Sequence, residues 1–124
     1  MKHIVASADE RYTGLEFDVG AQIALSKEIP VLCRVELEGC ASPVTFHCNI
    51  LDKKNADIKI FLSTQNKEPS ENNCMRSVER LQLFKFYAED KKPKFAATDV
   101  LYLSLLSILG CTVSIMASKP DTEP

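Results

Sequence analysis

A chain of 124 residues with 45% hydrophobic and 26% charged side chains has the length and apolar content of one globular domain. Its 15 basic and 17 acidic residues give a net charge of -2, which argues against a nucleic-acid binder that works by counterion release. We therefore predict a single domain over residues 1–118, followed by a polar C-terminal tail over residues 119–124.

The N-terminal residues contain only a short apolar patch at residues 4–6, before two acidic residues. A secretory signal needs an apolar stretch of about 7–15 residues, so we expect a cytoplasmic protein. The five cysteines form an odd set, and in a reducing compartment we expect them to be free, mostly buried thiols.

Alternation of apolar and polar residues between turn residues predicts short β-strands along most of the chain. The pattern is clearest from Val31 to Leu37, where every second residue is apolar. A polar stretch over residues 65–73 predicts an exposed loop. The predicted strands before the last apolar run are residues 4–7, 12–19, 21–26, 31–37, 44–50, 57–64 and 81–87.

Residues 75–81 are ambiguous between helix and strand. Met75, Val78 and Leu81 would share one face of a helix, whereas the aromatic-rich residues that follow favour a strand. We therefore predict a strand only from Leu81 to Tyr87.

The apolar run over residues 100–116 allows three interpretations: a membrane segment, a buried helix ended by Gly110, or two strands. A spanning helix needs roughly 20 apolar residues, and this run is shorter and interrupted by serines. Beyond Gly110 the chain is rich in β-branched residues, which favours strands. We predict an antiparallel hairpin of residues 100–106 and 112–117, with the first strand buried on both faces.

These elements predict an all-β fold, a single antiparallel β-sandwich of jelly-roll type with about eight strands. The second half of the chain, over roughly residues 57–117, resembles the pre-peptidase C-terminal family of β-sandwiches. The resemblance is carried by DIKIFLS at residues 57–63, NCMRS at 73–77, LYLS at 101–104 and CTVSI at 111–115. It implies a non-catalytic binding or structural module.

No catalytic pair is predicted. His47 and Cys48 are neighbours on a predicted strand and would point to opposite faces, and His3 lies near the terminus. The spacing of Cys33, Cys40 and His47 lacks the paired C-x₂-C knuckles that structural zinc sites use. We expect no catalytic residue and no cofactor.

Two further groups of charged residues are candidate binding sites. Acidic residues fall at several turns, and Asp52 and Asp57 are the candidate calcium ligands, although no dense D-x-D-x-D loop is present. Lysines at residues 91, 92 and 94 precede Phe95, but acidic residues offset their charge, and we interpret the stretch as a solvated loop. We expect no nucleic-acid partner.

The sequence thus favours a non-enzymatic protein-protein interaction or structural module with a protein partner, in a setting such as a cytoskeletal or ciliary assembly. The alternative is a calcium- or lipid-dependent membrane-binding β-sandwich. A third hypothesis is a small thiol or metal enzyme, which would need a cysteine close to a histidine.

Overall fold

The computed structural model describes residues 12–40, 43–52, 57–79, 83–88, 95–96 and 98–119. Within these residues the chain forms nine β-strands and no helix, so no helix there is long and apolar enough to cross a membrane. The strands are β1 (Tyr12–Leu15), β2 (Ala21–Leu25), β3 (Val31–Glu36), β4 (Val44–Ile50), β5 (Ile58–Ser63), β6 (Arg76–Glu79), β7 (Leu83–Phe86), β8 (Val100–Ser107) and β9 (Cys111–Ser118).

The described strands form two sheets that pack face to face. Sheet A has the order β1-β3-β8-β5-β6 and sheet B the order β2-β9-β4-β7. Every neighbouring pair is antiparallel except β1 and β3, which run parallel. The predicted antiparallel β-sandwich is confirmed, with nine strands in the described residues where we predicted about eight.

The core lies between the sheets and follows the period-two pattern of the sequence. Alternate residues of β9 are buried, as a strand with one face on a core requires. Each fully buried large apolar side chain contributes about 1.5–3 kcal/mol relative to exposure. The largest fully buried side chains are Phe46, Leu37, Ile60, Leu62, Leu101, Leu103, Leu105, Ile115, Val35, Val44, Val113 and Cys33.

The apolar run over residues 100–116 forms β8 and most of β9, which confirms the strand interpretation, but the predicted hairpin is wrong. Strand β8 pairs with β3 and β5 in sheet A, whereas β9 pairs with β2 and β4 in sheet B. Because each strand already has two neighbours, the two cannot pair with each other. The connection, residues 108–110, is therefore an arch from one sheet to the other, and we call it the β8–β9 arch.

The outer face of sheet A is partly covered. Ser104 of β8 and Phe61 of β5 point away from the core on neighbouring strands, yet they are only 4% and 5% exposed. The Tyr12 hydroxyl donates a hydrogen bond to the Lys67 carbonyl at 2.9 Å, which shows that the loop after β5 crosses this face. Residues 65–73, which we predicted as an exposed loop, are mostly exposed, but the side chain of Pro69 is buried.

Two turns with the same backbone geometry connect the sheets, and we call them corners. In the first, Asp18 has a φ of 65° and its N–H donates to the Ala117 carbonyl at 2.7 Å. In the second, Glu28 has a φ of 58° and its N–H donates to the Ser107 carbonyl at 2.8 Å. The predicted strand over residues 12–19 is therefore wrong beyond Leu15, because the chain leaves sheet A at the first corner.

The ambiguous residues around Val78 form β6, an edge strand of sheet A that we did not predict. Only one of its four side chains is buried, so its sequence lacks a clear alternation. The predicted strand over residues 81–87 is observed as β7. The predicted strand over residues 4–7 lies outside the described residues, as does all of the predicted tail except Lys119.

Gly110 is the one glycine of the β8–β9 arch, and its φ is +83°. A Cβ there would lie 3.2 Å from the Leu25 carbonyl oxygen and 3.2 Å from the Lys27 nitrogen. We expect Gly110→Ala to lower the free energy of unfolding by about 1–3 kcal/mol, measured by urea denaturation. Gly20→Ala is the matched control, because a Cβ at Gly20 meets nothing within 4 Å. Equal urea midpoints for the two variants would show that a Cβ at Gly110 causes no strain in the arch.

Candidate functional site

Four large apolar side chains are exposed at the end of the sandwich where the β8–β9 arch lies. All of them belong to loops, outside the alternating pattern of the strands. We call this set the arch-end patch. Its members are Ile29 (59% exposed), Leu51 (51%), Ile108 (43%) and Leu109 (55%).

Backbone hydrogen bonds hold the segments of the arch-end patch together. The N–H of Glu28, just before Ile29, bonds to the Ser107 carbonyl, just before Ile108. The N–H of Leu51 donates to the Thr112 carbonyl at 2.8 Å, which ties the end of β4 to the start of β9. The three segments that carry the patch therefore meet at one end of the molecule.

The arch itself is also anchored. The Gly110 N–H donates to the Ser107 hydroxyl at 3.0 Å, and Ser107 is fully buried. This bond fixes the turn that presents Ile108 and Leu109. A hydrophobic tip on an anchored turn loses little conformational freedom when it contacts another surface.

The calcium candidates lie beside this end. The Asp52 carboxylate accepts a hydrogen bond from the Thr112 N–H at 2.9 Å, so it supports the start of β9. Asp57 is half-buried just before β5. Among the described residues no group of three or more histidine, cysteine or acidic side chains could hold a metal ion. A calcium role for Asp52 and Asp57 stays a prediction.

Cys33, Cys48 and Cys111 are free thiols inside the sandwich. Burial, and secondarily the neighbouring Cys48, raises the pKa of Cys33 to about 12. Burial, and secondarily Cys111, raises the pKa of Cys48 to about 11. Cys33 and Cys48 are therefore protonated at neutral pH, and both pack as small hydrophobic groups.

The other sequence-derived candidates do not converge on a reactive site. His47 and Cys48 point to opposite faces of β4, because Cys48 is in the core and His47 is half-buried on the outer side. Cys40 is half-buried, and burial raises its pKa. His3 lies outside the described residues.

The aromatic residues near the lysine-rich stretch are part of the core. Phe84 stacks on Phe46 with ring centroids 5.1 Å apart, and Phe86 stacks on Phe95 at 5.9 Å. All four rings are buried, so these rings are not available to stack on bases. The lysines at residues 91, 92 and 94 lie outside the described residues.

Solved structures share this architecture. The pre-peptidase C-terminal domain of a collagenase from Bacillus anthracis matches with a TM-score of 0.59 and 8% identity, over 91% of this chain and 100% of that one. The chain has the fold of a pre-peptidase C-terminal β-sandwich. A mitogen derived from Yersinia pseudotuberculosis matches with a TM-score of 0.57 and 12% identity, over 86% of this chain and 88% of that one. No family model and no curated protein sequence matches the chain.

The family resemblance stated from the sequence is thus confirmed at the level of the fold. Residues 58–63 of the stretch DIKIFLS form β5, while LYLS and CTVSI lie within β8 and β9. The sequence analysis did not predict the arch-end patch, because its four residues lie outside the alternating pattern of the strands. The available signal was the placement of large apolar residues where turns usually carry polar ones, at Ile29, Leu51 and the Ile108-Leu109 pair.

Because of Cys33 and Cys48, the free energy of unfolding of this β-sandwich depends on pH in the alkaline range. Between about pH 9 and pH 11–12 the unfolded chain releases thiol protons that folded Cys33 and Cys48 retain. The stabilising contribution is therefore complete below pH 9 and is lost as the pH rises through the folded pKa values. We expect the free energy of unfolding from urea titrations to fall over this range.

The double variant Cys33→Ala with Cys48→Ala should lose less stability over the same pH range, although it starts from a lower value because of the cavities it creates. Cys74→Ala, in the loop after β5, is the control and should keep the pH dependence of the original chain. A double variant with an unchanged pH dependence would contradict the assignment to the buried thiols.

Proposed function

We propose that this chain is a non-enzymatic interaction module whose arch-end patch binds another protein. The observation that supports it is the convergence of four exposed apolar side chains on hydrogen-bonded loops at one end of the sandwich. Exposed apolar side chains that converge in this way mark protein or membrane contact sites more often than scattered ones do. A cytosolic assembly of the cytoskeletal or ciliary kind is the setting we propose for it.

The chemistry of the patch suits a protein partner. Aliphatic side chains that insert into pockets form the dry centre of protein interfaces, surrounded by a polar rim. The patch has such a rim, because Lys27 and Glu28 precede Ile29, and Asp52 follows Leu51. The positions of the buried thiols and His47 favour a binding role over catalysis, since Cys48 and His47 lie on opposite faces of β4.

The test is a comparison of partner enrichment from the native cell. We expect the double variant Ile108→Asp with Leu109→Asp to reduce proximity labelling of specific partners by about tenfold or more. The reason is that the complex would lose two apolar side chains that become buried against the partner. Its free energy of unfolding should change by only about 0.5 kcal/mol, since both side chains are exposed. Urea denaturation checks that the loss is not due to unfolding.

Val19→Asp is the matched control. Val19 is 52% exposed, but it follows the corner at the other end of the sandwich, next to Ala117. This variant should keep the labelling pattern of the original chain. If it loses the same partners, or if the double variant at the arch keeps them, the arch-end patch is not the binding site.

The alternative, a calcium- or lipid-dependent membrane-binding sandwich, is an outcome of a second measurement. A hydrophobic tip beside Asp52 is also the feature that such a protein would insert into a bilayer. Sedimentation with anionic vesicles, with and without calcium, distinguishes the two. Binding to vesicles that is lost in the Ile108→Asp, Leu109→Asp variant would replace the protein-partner proposal by the membrane one.

A further inference from the structure

Strand β2 forms one edge of sheet B, and its outer side has no partner strand among the described residues. Residues 16–30, which comprise β2 and the corners on either side of it, are all described. Beyond the pairing with β9, residues 21–25 make no hydrogen bond to the described part of the chain. The outer side of β2 is therefore a row of backbone groups that another strand can pair with.

The backbone groups on the outer side of β2 belong to Gln22 and Ala24. On β9, the Thr112 N–H donates to the Asp52 carboxylate and the Thr112 carbonyl accepts from the Leu51 N–H, both on the β4 side. Opposed residues in an antiparallel ladder exchange either both hydrogen bonds or neither, so Thr112 and its β2 partner Ala24 form a non-hydrogen-bonded pair. The N–H and carbonyl of Ala24 therefore point away from β9, and those of Gln22, two residues earlier, do the same.

Strand β2 lacks the features that usually protect a sheet edge. Its sequence, AQIAL, contains no charged residue and no proline. The edge strands β6 and β7 differ, because each carries at least one charged side chain, and the Arg76 guanidinium of β6 donates a hydrogen bond to the Lys85 carbonyl of β7. Within the described residues, neither charge repulsion nor a capping side chain keeps a second strand away from β2.

We propose that β2 pairs with β2 of a second copy of this chain, antiparallel and about a two-fold axis at Ile23. Sheet B then continues across the axis from one copy into the other. Gln22 of each copy lies opposite Ala24 of the other, and because the backbone groups of both residues point outward, each such pair exchanges both of its main-chain hydrogen bonds. This register uses all the outward backbone groups of Gln22 and Ala24.

The sequence of β2 is complementary to itself in this register, which favours a second copy over an unrelated segment. On the core face Ala21 lies opposite Leu25, and on the outer face Ala24 lies opposite Gln22, so a small side chain meets a larger one in each pair. At the axis Ile23 meets its own copy in an apolar cross-strand pair. No like charges face each other, since β2 is uncharged. A two-fold interface requires self-complementarity of this kind.

The interface is small, because Ile23 and Leu25 are already only 7% and 5% exposed within each copy. Main-chain hydrogen bonds hold it rather than new apolar burial, so we expect a weak dimer. Its dissociation constant should hardly depend on salt, because no charged side chain of β2 takes part. The arch-end patch lies beyond the corner after β2, so antiparallel pairing places the two patches at opposite ends of the dimer. Neither proposal depends on the other.

The test is sedimentation velocity of the full chain at concentrations from about 10 μM to about 1 mM, a range that brackets weak interfaces. We expect a reversible equilibrium between monomer and dimer. Hydrogen exchange at the two ends of the range should show that the amides of Gln22 and Ala24 are protected only where the dimer is populated. A monomer at every concentration, or amides of Gln22 and Ala24 that are already protected in the monomer, would overturn the proposal.

Two double variants test the register. Gln22→Lys with Ala24→Lys places like charges opposite each other in both outer pairs, so we expect the Kd of the dimer to rise by about tenfold or more. Gln22→Lys with Ala24→Glu is the matched control, because the same register then places opposite charges together and should leave the Kd unchanged or lower it. Both positions are exposed, so both variants should fold. Equal Kd values for the two variants would contradict the proposed pairing.

A single substitution tests the main-chain hydrogen bonds. Ala24→Pro removes an N–H that β9 does not use, at an edge position of the kind that tolerates proline, and should abolish the dimer. Cooperative urea unfolding checks that this variant folds, and Ala24→Val, which keeps the N–H, should keep the dimer. The Ile108→Asp, Leu109→Asp variant should also dimerise like the original chain. Loss of the dimer in that variant would assign the contact to the arch-end patch and overturn the β2 proposal.

Discussion

The structure depends on one constraint: β8 and β9 follow each other in the sequence, yet each lies in the interior of a different sheet. Leu101, Leu103 and Leu105 from β8 and Val113, Ile115 and Ala117 from β9 are all 0% exposed. Every strand of the inner framework pairs with one of these two: β3 and β5 with β8, and β2 and β4 with β9. The apolar run therefore supplies the middle of both layers, and the arch at Gly110 sets how the layers are joined.

The two corners show how the rest of the chain is fitted to this centre. Each corner places an acidic residue, Asp18 or Glu28, in the left-handed region and bonds its N–H to a carbonyl of a central strand. In each case the next N–H closes a tight turn, from Val19 to Glu16 and from Ile29 to Ser26. The strain of a positive φ, of order 1 kcal/mol or more, is offset by these bonds. The same geometry leaves Val19 and Ile29 exposed, one at each end of the sandwich.

The arch-end patch lies on loops, away from the core. The arch-end patch exists because three connections that carry apolar residues are tied together at one end. A β-sandwich by itself is compatible with many roles, so a function is inferred from local features of this kind and not from the fold. Cys33 and Cys48 belong to the core, where burial raises the pKa of each thiol and lowers its reactivity.

The sequence by itself determined most of the strands, though not β6, and which of their side chains face the core, because a period of two residues is a local property. It predicted β3, β4 and β5 closely, the free thiols of the core, and the strand nature of the apolar run. Only the tertiary structure decided that β8 and β9 enter different sheets and that the chain turns a corner after Leu15. Both outcomes depend on pairing between residues far apart in the chain, such as Asp18 with Ala117, which no local pattern encodes. The convergence of Ile29, Leu51 and the Ile108-Leu109 pair at one end was decided in the same way.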